Sequence, residues 1–153
     1  MKLWRLTRAP FVALDGKGAE LHGARYSSPG RPVVNFASEA GLAVLVALRY
    51  LPENREQWPD DFVLGWTEVD AQPEPVPNAS DEATIQEWVD EWLKSGRSLL
   101  ATIPSRVLPE GDIVMLNVRH PGATKVAPLN LRPFDFAQCL HRPPMLDKYG
   151  SQA

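Results

Sequence analysis

GARYSSPGRPVVNFASEAGLAVLVALRYL, residues 23–51, decides how the rest of the chain is read. Arg25 and Tyr26 read as a short strand. The breakers Ser27-Ser28-Pro29-Gly30-Arg31-Pro32 then turn the chain, and residues 33–36 re-enter a strand. A helix is expected over 38–51, with Ser38 as its cap and Glu39 in its first turn, where the helix dipole favours an acid. No polar side chain falls between Ala40 and Leu48, so this helix is expected to be buried on most sides. A strand, a turn bearing two arginines, a second strand and a buried helix make a corner suited to an anion.

Outward from that corner, residues 2–6 read as a first strand and 10–20 as a loop broken by Gly16 and Gly18. Pro52 closes the helix. Residues 62–69 carry strand-type side chains, and 72–78, with three alternating prolines, read as a stiff exposed connector. The clearest helix follows: Ile85, Trp88, Val89, Trp92 and Leu93 fall on one stripe. Asp81 and Glu82 open it, and Lys94 and Gly96 end it. Residues 99–103, 113–117 and 126–131 read as further strands, with Arg132-Pro133-Phe134-Asp135 and Arg142-Pro143-Pro144 as an irregular tail. Strands interleaved with two helices indicate an α+β fold on a mixed or antiparallel sheet.

The 153 residues fit one domain, and no apolar run approaches the ~20 residues of a membrane span. The N-terminus lacks the apolar core of a signal peptide. With Cys139 the only cysteine, a disulfide framework is excluded and a reducing, cytoplasmic setting is expected. Charge is uneven. Residues 1–51 carry seven Lys/Arg against three Asp/Glu, residues 52–91 one against twelve, and residues 92–153 eight against four. No concentrated basic face exists for nucleic acid, yet a local positive pocket for a phosphorylated ligand is permitted.

Most candidate motifs fail on spacing. Ser105 with His22, His120 or His141 lacks the GxSxG elbow of a hydrolase. The scattered histidines have no metal-ligand spacing. Gly16-Lys17-Gly18 lacks the GxxxxGK[ST] pattern of a phosphate loop. Cys139 has no base near it in sequence, and Trp4 and Trp58 read as core or rim. Two sets survive: Arg25-Tyr26, a fork for phosphate beside an aromatic ring, and Ser105, a hydroxyl at a strand end.

These pieces resemble the RES-domain family, the toxin halves of bacterial toxin–antitoxin pairs, named for an arginine, a glutamate and a serine. The resemblance spans residues 4–136 of a single domain, leaving 137–153 as tail. It rests on Leu3-Trp4-Arg5-Leu6, on Gly23-Ala24-Arg25-Tyr26-Ser27-Ser28-Pro29-Gly30, on the helix 38–51, and on Ile103-Pro104-Ser105-Arg106-Val107 followed by Val114-Met115-Leu116-Asn117 and His120-Pro121. It implies an ADP-ribosyltransferase-like fold and NAD as the substrate, without a metal. Arg25 would hold the NAD phosphates, Tyr26 would line the nicotinamide-ribose pocket, and Ser105 would sit at its edge. The implied partner is a helix-turn-helix, Xre-like antitoxin covering the cleft. The resemblance also allows a homodimer within that complex, with no DNA contact by this chain.

The chain departs from the family at two positions. The usual tyrosine after the valine strand is Asn35, and the usual glutamate eleven residues on is Val46. Valine can neither carry negative charge nor accept a hydrogen bond. Three readings follow: an NAD-cleaving toxin crippled at Val46, a silent module that only binds the antitoxin, or an ADP-ribosyltransferase acting on a protein.

Overall fold

The computed structural model describes residues 1–140. Its elements in chain order are β1 (Lys2–Arg8), α1 (Lys17–His22), β2 (Val33–Ala37), α2 (Ala40–Leu48), β3 (Phe62–Glu68), β4 (Glu74–Pro75), α3 (Glu82–Ser95), β5 (Leu100–Pro104), β6 (Asp112–Asn117) and β7 (Asn130–Pro133). The strands form one mixed sheet ordered β4-β5-β6-β2-β1-β3-β7, antiparallel except for the β4–β5 pair. The α+β reading therefore holds. No helix among the described residues is long and apolar enough to cross a membrane.

Strand alternation sorts the core into two faces. Val33 and Ala37 of β2, Met115 of β6 and Ala101 and Ile103 of β5 face the helices, where α3 inserts Ile85, Val89, Trp92 and Leu93. Val34, Phe36, Leu100, Val114 and Leu116 face the other way, under loop residues such as Leu14 and Leu129. Helix α3 is as its stripe predicts. The Asp81 side chain caps it by accepting from the Ala83 and Thr84 amides, and Gly96 ends it in the left-handed region.

Several expectations are corrected. Arg25 and Tyr26 lie in a turn between bridged Ala24 and Ser27, not in a strand. Gly23 sets that turn at φ 75°, and a Cβ there would stand 3.0 Å from the Ser27 carbonyl oxygen. Residues 10–20 are not all loop, since α1 begins at Lys17. Residues 72–78 are not a free connector: β4 pairs with β5, and Val76 is buried. The last strand is Asn130–Pro133 instead of 126–131, which takes Arg132-Pro133 out of the tail and pairs them with β3. Arg142-Pro143-Pro144 lies outside the described residues.

Helix α2 starts two residues late because Ser38 is used elsewhere: its Oγ accepts the Asp112 amide at 3.0 Å, tying α2's entry to β6. The helix is also less buried than its composition suggests. Only Leu42 and Ala43 are buried, while Leu45 and, past its end, Tyr50 are exposed. An all-apolar helix has no polar face to say which side meets the sheet.

Candidate functional site

The sheet is not closed along its length. Strand β1 pairs with β3 at seven positions and β2 with β6 at five, but β1 and β2 meet only at Trp4 and Ala37. Beyond that pair the two strands part. Helix α2 lies over the seam, and its Ala43, Val46 and Ala47, spaced i, i+3, i+4, share one helical face, with Tyr50 in the turn just past its end. Together with Trp4, Arg5, Leu6, Asn35 and Ile113 they line a cleft of about 310 Å³. Asn35 and Val46, eleven residues apart in sequence, are thus brought together.

Arg5 is the one charged residue of that lining. It alternates with Trp4 and Leu6 and leaves β1 on the opposite face, yet its guanidinium reaches the seam, where Nη1 donates to the Asn35 carbonyl oxygen at 2.9 Å. Its Nε is buried without a partner. Burial pushes the guanidinium below the ordinary arginine value, and Asp15 acts against that from beyond ion-pair distance. No aspartate or glutamate lines the cleft among the described residues.

The Arg25 corner is built differently. Arg25 Nε donates to Glu82 Oε1 at 2.7 Å, and the guanidinium lies 5.5 Å from the centre of the Tyr26 ring. The Glu82 hydrogen bond holds Arg25 above the ordinary arginine value. Next along the turn, Ser28 donates through its amide and hydroxyl to the Asp90 carboxylate at 2.9 and 2.6 Å, and Arg31 stands 3.5 Å from Asp90. Basic turn and acidic helix, far apart in sequence, neutralise each other. The charge asymmetry of the chain is in part this clasp.

Tyr26 is buried and its hydroxyl accepts from Arg106 Nε at 3.3 Å. Both line a second cleft of about 650 Å³ on the helical face, walled by Pro75–Ser80, Ile85 and Ile103. Ser105, one residue from Arg106, is buried in the β5–β6 turn. Its Oγ accepts the Val107 amide at 3.2 Å and its amide donates to the Gly111 carbonyl at 2.8 Å. It lines neither cleft. Tyr50 links the halves: it lines the seam cleft and its phenol is close enough to Arg25 to bear on its charge.

The structure therefore groups Asn35 with Val46, and Tyr26 with Arg106 beside Ser105, while Arg25 is held at the rim by Glu82. Sequence reading missed Arg5, Tyr50, Arg106 and Glu82 as site residues. For Arg5 a signal existed: a cation at the middle of a strand, flanked by the apolar Leu3, Trp4 and Leu6, where the strand's other two cations, Lys2 and Arg8, stand at its ends. A third hollow, about 730 Å³ beside Trp58, Phe62 and Phe136, holds none of these residues.

A family model described as the RES domain matches residues 2–137. The Toxin Res of Photorhabdus laumondii is 32% identical over 133 residues, 76% of this chain and 81% of that protein. The Prs ADP-ribosylating toxin of a Sphingobium species is 30% identical over 131 residues, 78% of this chain and 81% of that protein. Among solved structures, a chain of the M. tuberculosis MbcT–MbcA toxin–antitoxin complex superimposes with a TM-score of 0.65 over 90% of this chain and 85% of that one. At 16% identity that likeness is one of fold.

Proposed function

This chain belongs to the RES-domain family, and from that membership we propose that it is the toxin of a toxin–antitoxin pair and takes NAD in the seam cleft between β1, β2 and α2. The observation that carries the reading is the meeting of Asn35 and Val46, the two family positions, in one cleft with a guanidinium. The cleft is at the small end of ligand sites. It suits one nucleotide half of NAD, with the remainder running past Tyr50 towards Arg25 and Tyr26. The name of the Sphingobium relative, an ADP-ribosylating toxin, supports chemistry at the nicotinamide–ribose bond.

In that chemistry the C1′–N bond breaks, the electron pair leaves with nicotinamide, and an acceptor oxygen adds to C1′. Positive charge builds on the ribose in between, and a carboxylate placed there stabilises it as it forms. Val46 supplies none. Loss of one preorganised group of this kind costs roughly 10²–10³ in rate, so this chain binds the dinucleotide and cleaves it slowly. The exposed apolar flank of α2, with Leu45 and Tyr50 beside the cleft, supports a helical antitoxin of the Xre-like class as the partner that covers it.

Expression without a partner tests the proposal. Cells making Val46→Glu are expected to lose NAD and stop growing, while cells making the native chain keep both. If the glutamate variant, present and folded, leaves NAD untouched, the NAD-toxin reading fails. What survives is the second reading, which Val46 also favours: a module that binds the antitoxin without chemistry. With labelled NAD in a lysate, a labelled protein band would mark a protein as the acceptor in place of water.

A further inference from the structure

Five arginines among the described residues stand in ion pairs: Arg8 with Asp61, Arg25 with Glu82, Arg31 with Asp90, Arg97 with Glu74 and Glu91, and Arg119 with Glu20. Arg5 is in none of them, although it is the more deeply set. Its Nη1 bond to the Asn35 carbonyl is its one side-chain hydrogen bond, and its Nε has no partner. The side chain is half-buried with its Nε shut off from solvent, and its nearest compensating charge, Asp15, acts from beyond ion-pair distance, so the guanidinium is left short of partners in a partly desolvated setting. The rest of the cleft is apolar apart from Asn35 and Tyr50, so an anion entering it would meet this guanidinium with no carboxylate competing for it.

We infer that Arg5 is the anion-holding residue of the seam cleft, its guanidinium taking a phosphate-class oxyanion where β1 and β2 part. The planar fork suits two oxygens of one phosphate group, which an ammonium cannot match. Arg25 is poorly placed for the same task unaided, because Glu82 already shares its charge at 2.7 Å. The identity of the ligand as the phosphate of a pyridine dinucleotide rests on the proposed function; the anion site itself does not.

Calorimetric titration of the full chain with three probes separates the two. Inorganic pyrophosphate carries the charge alone, NAD carries the charge and the rings, and nicotinamide riboside carries a ring without phosphate. Arg5→Met is expected to weaken pyrophosphate and NAD by about tenfold to a hundredfold and to leave nicotinamide riboside unchanged. Arg5→Lys should lose less, keeping the charge but not the fork. If Arg5→Met does not fold, the ratio of NAD to riboside affinity in Arg5→Lys decides, and an unchanged ratio overturns the inference. So does a folded Arg5→Met that binds all probes as the native chain does, or a native chain that binds no pyrophosphate. Pyrophosphate binding that depends on Arg5, with no NAD binding, keeps the anion site and rejects the dinucleotide.

Discussion

The Arg25 corner and the Arg5 cleft present the same functional group in opposite settings. Arg25 sits on a glycine-set turn, about a third exposed, clasped by a carboxylate from α3 and laid beside an aromatic ring. Arg5 sits on a central strand between diverging neighbours, with an unpartnered nitrogen and no carboxylate in contact. The first setting compensates its charge; the second leaves the charge unpaired. In a site for a molecule with two linked phosphates, that difference suggests a division of labour. On the proposed reading, Arg5 would hold the ligand inside the seam, and Arg25, exchanging Glu82 for an oxyanion, would secure it at the rim.

The largest expected effect tests how far the two regions are mechanically separate. Trp92 is fully buried, donates through Nε1 to Ser98 Oγ at 2.8 Å and stacks with Trp88 at 6.4 Å. Trp92→Ala should cost about 3–5 kcal/mol in chemical denaturation. Because Glu82 and Asp90 hang the Arg25 turn on α3, amide exchange should rise more over residues 24–31 than over 35–47. An equal rise in both would mean that the corner and the cleft are one cooperative unit.

Removing Arg5 sharpens the contrast in the opposite direction. Arg5→Met should leave stability within about 1 kcal/mol of the native chain, or raise it, since an apolar side chain escapes the burial cost of the charge. A loss of about 3–5 kcal/mol would assign Arg5 a structural role instead. For the Arg25–Glu82 pair, a double-mutant cycle with Arg25→Gln and Glu82→Gln should give a coupling of at most about 1 kcal/mol, shrinking as salt is added.

Acid gives the smallest effect. Glu74 is held below the usual carboxylate range by the Ser98 hydroxyl and by Arg97, and Asp81 by the Thr84 hydroxyl and the first amides of α3. A carboxyl with a depressed folded-state pKa contributes stability above its unfolded value and loses it as pH falls through the folded one. Thermal unfolding should therefore be flat from pH 7 to about 5 and decline below about 4, with α3 and the Arg25 corner losing protection before the seam. Glu74→Gln with Asp81→Asn should flatten that decline.

Much of the scaffold was legible because each strand and α3 carry their own period. Residues 33–36 and 113–117 alternate faces, and the stripe from Ile85 to Leu93 admits one orientation. The rest depended on partners far along the chain. Arg25 and Glu82 are 57 residues apart, and nothing local says that they meet. The Arg25-Tyr26 pair has strand-like side chains, but Gly23 and the Ala24–Ser27 bridge override them. The all-apolar run of α2 gave its type without its facing. Asn35 and Val46 were legible as departures from a family pattern, while Arg5 was visible only as a strand residue, and its place at the seam appears once β1 and β2 are seen to part.

The most direct test of the account is nicotinamide release from NAD by the purified native chain beside its Val46→Glu variant. The seam cleft predicts a slow native rate and a variant faster by roughly 10²–10³, because the new carboxylate would stand on the α2 face that already lines the cleft. A variant that folds yet releases nicotinamide no faster than the native chain would contradict it.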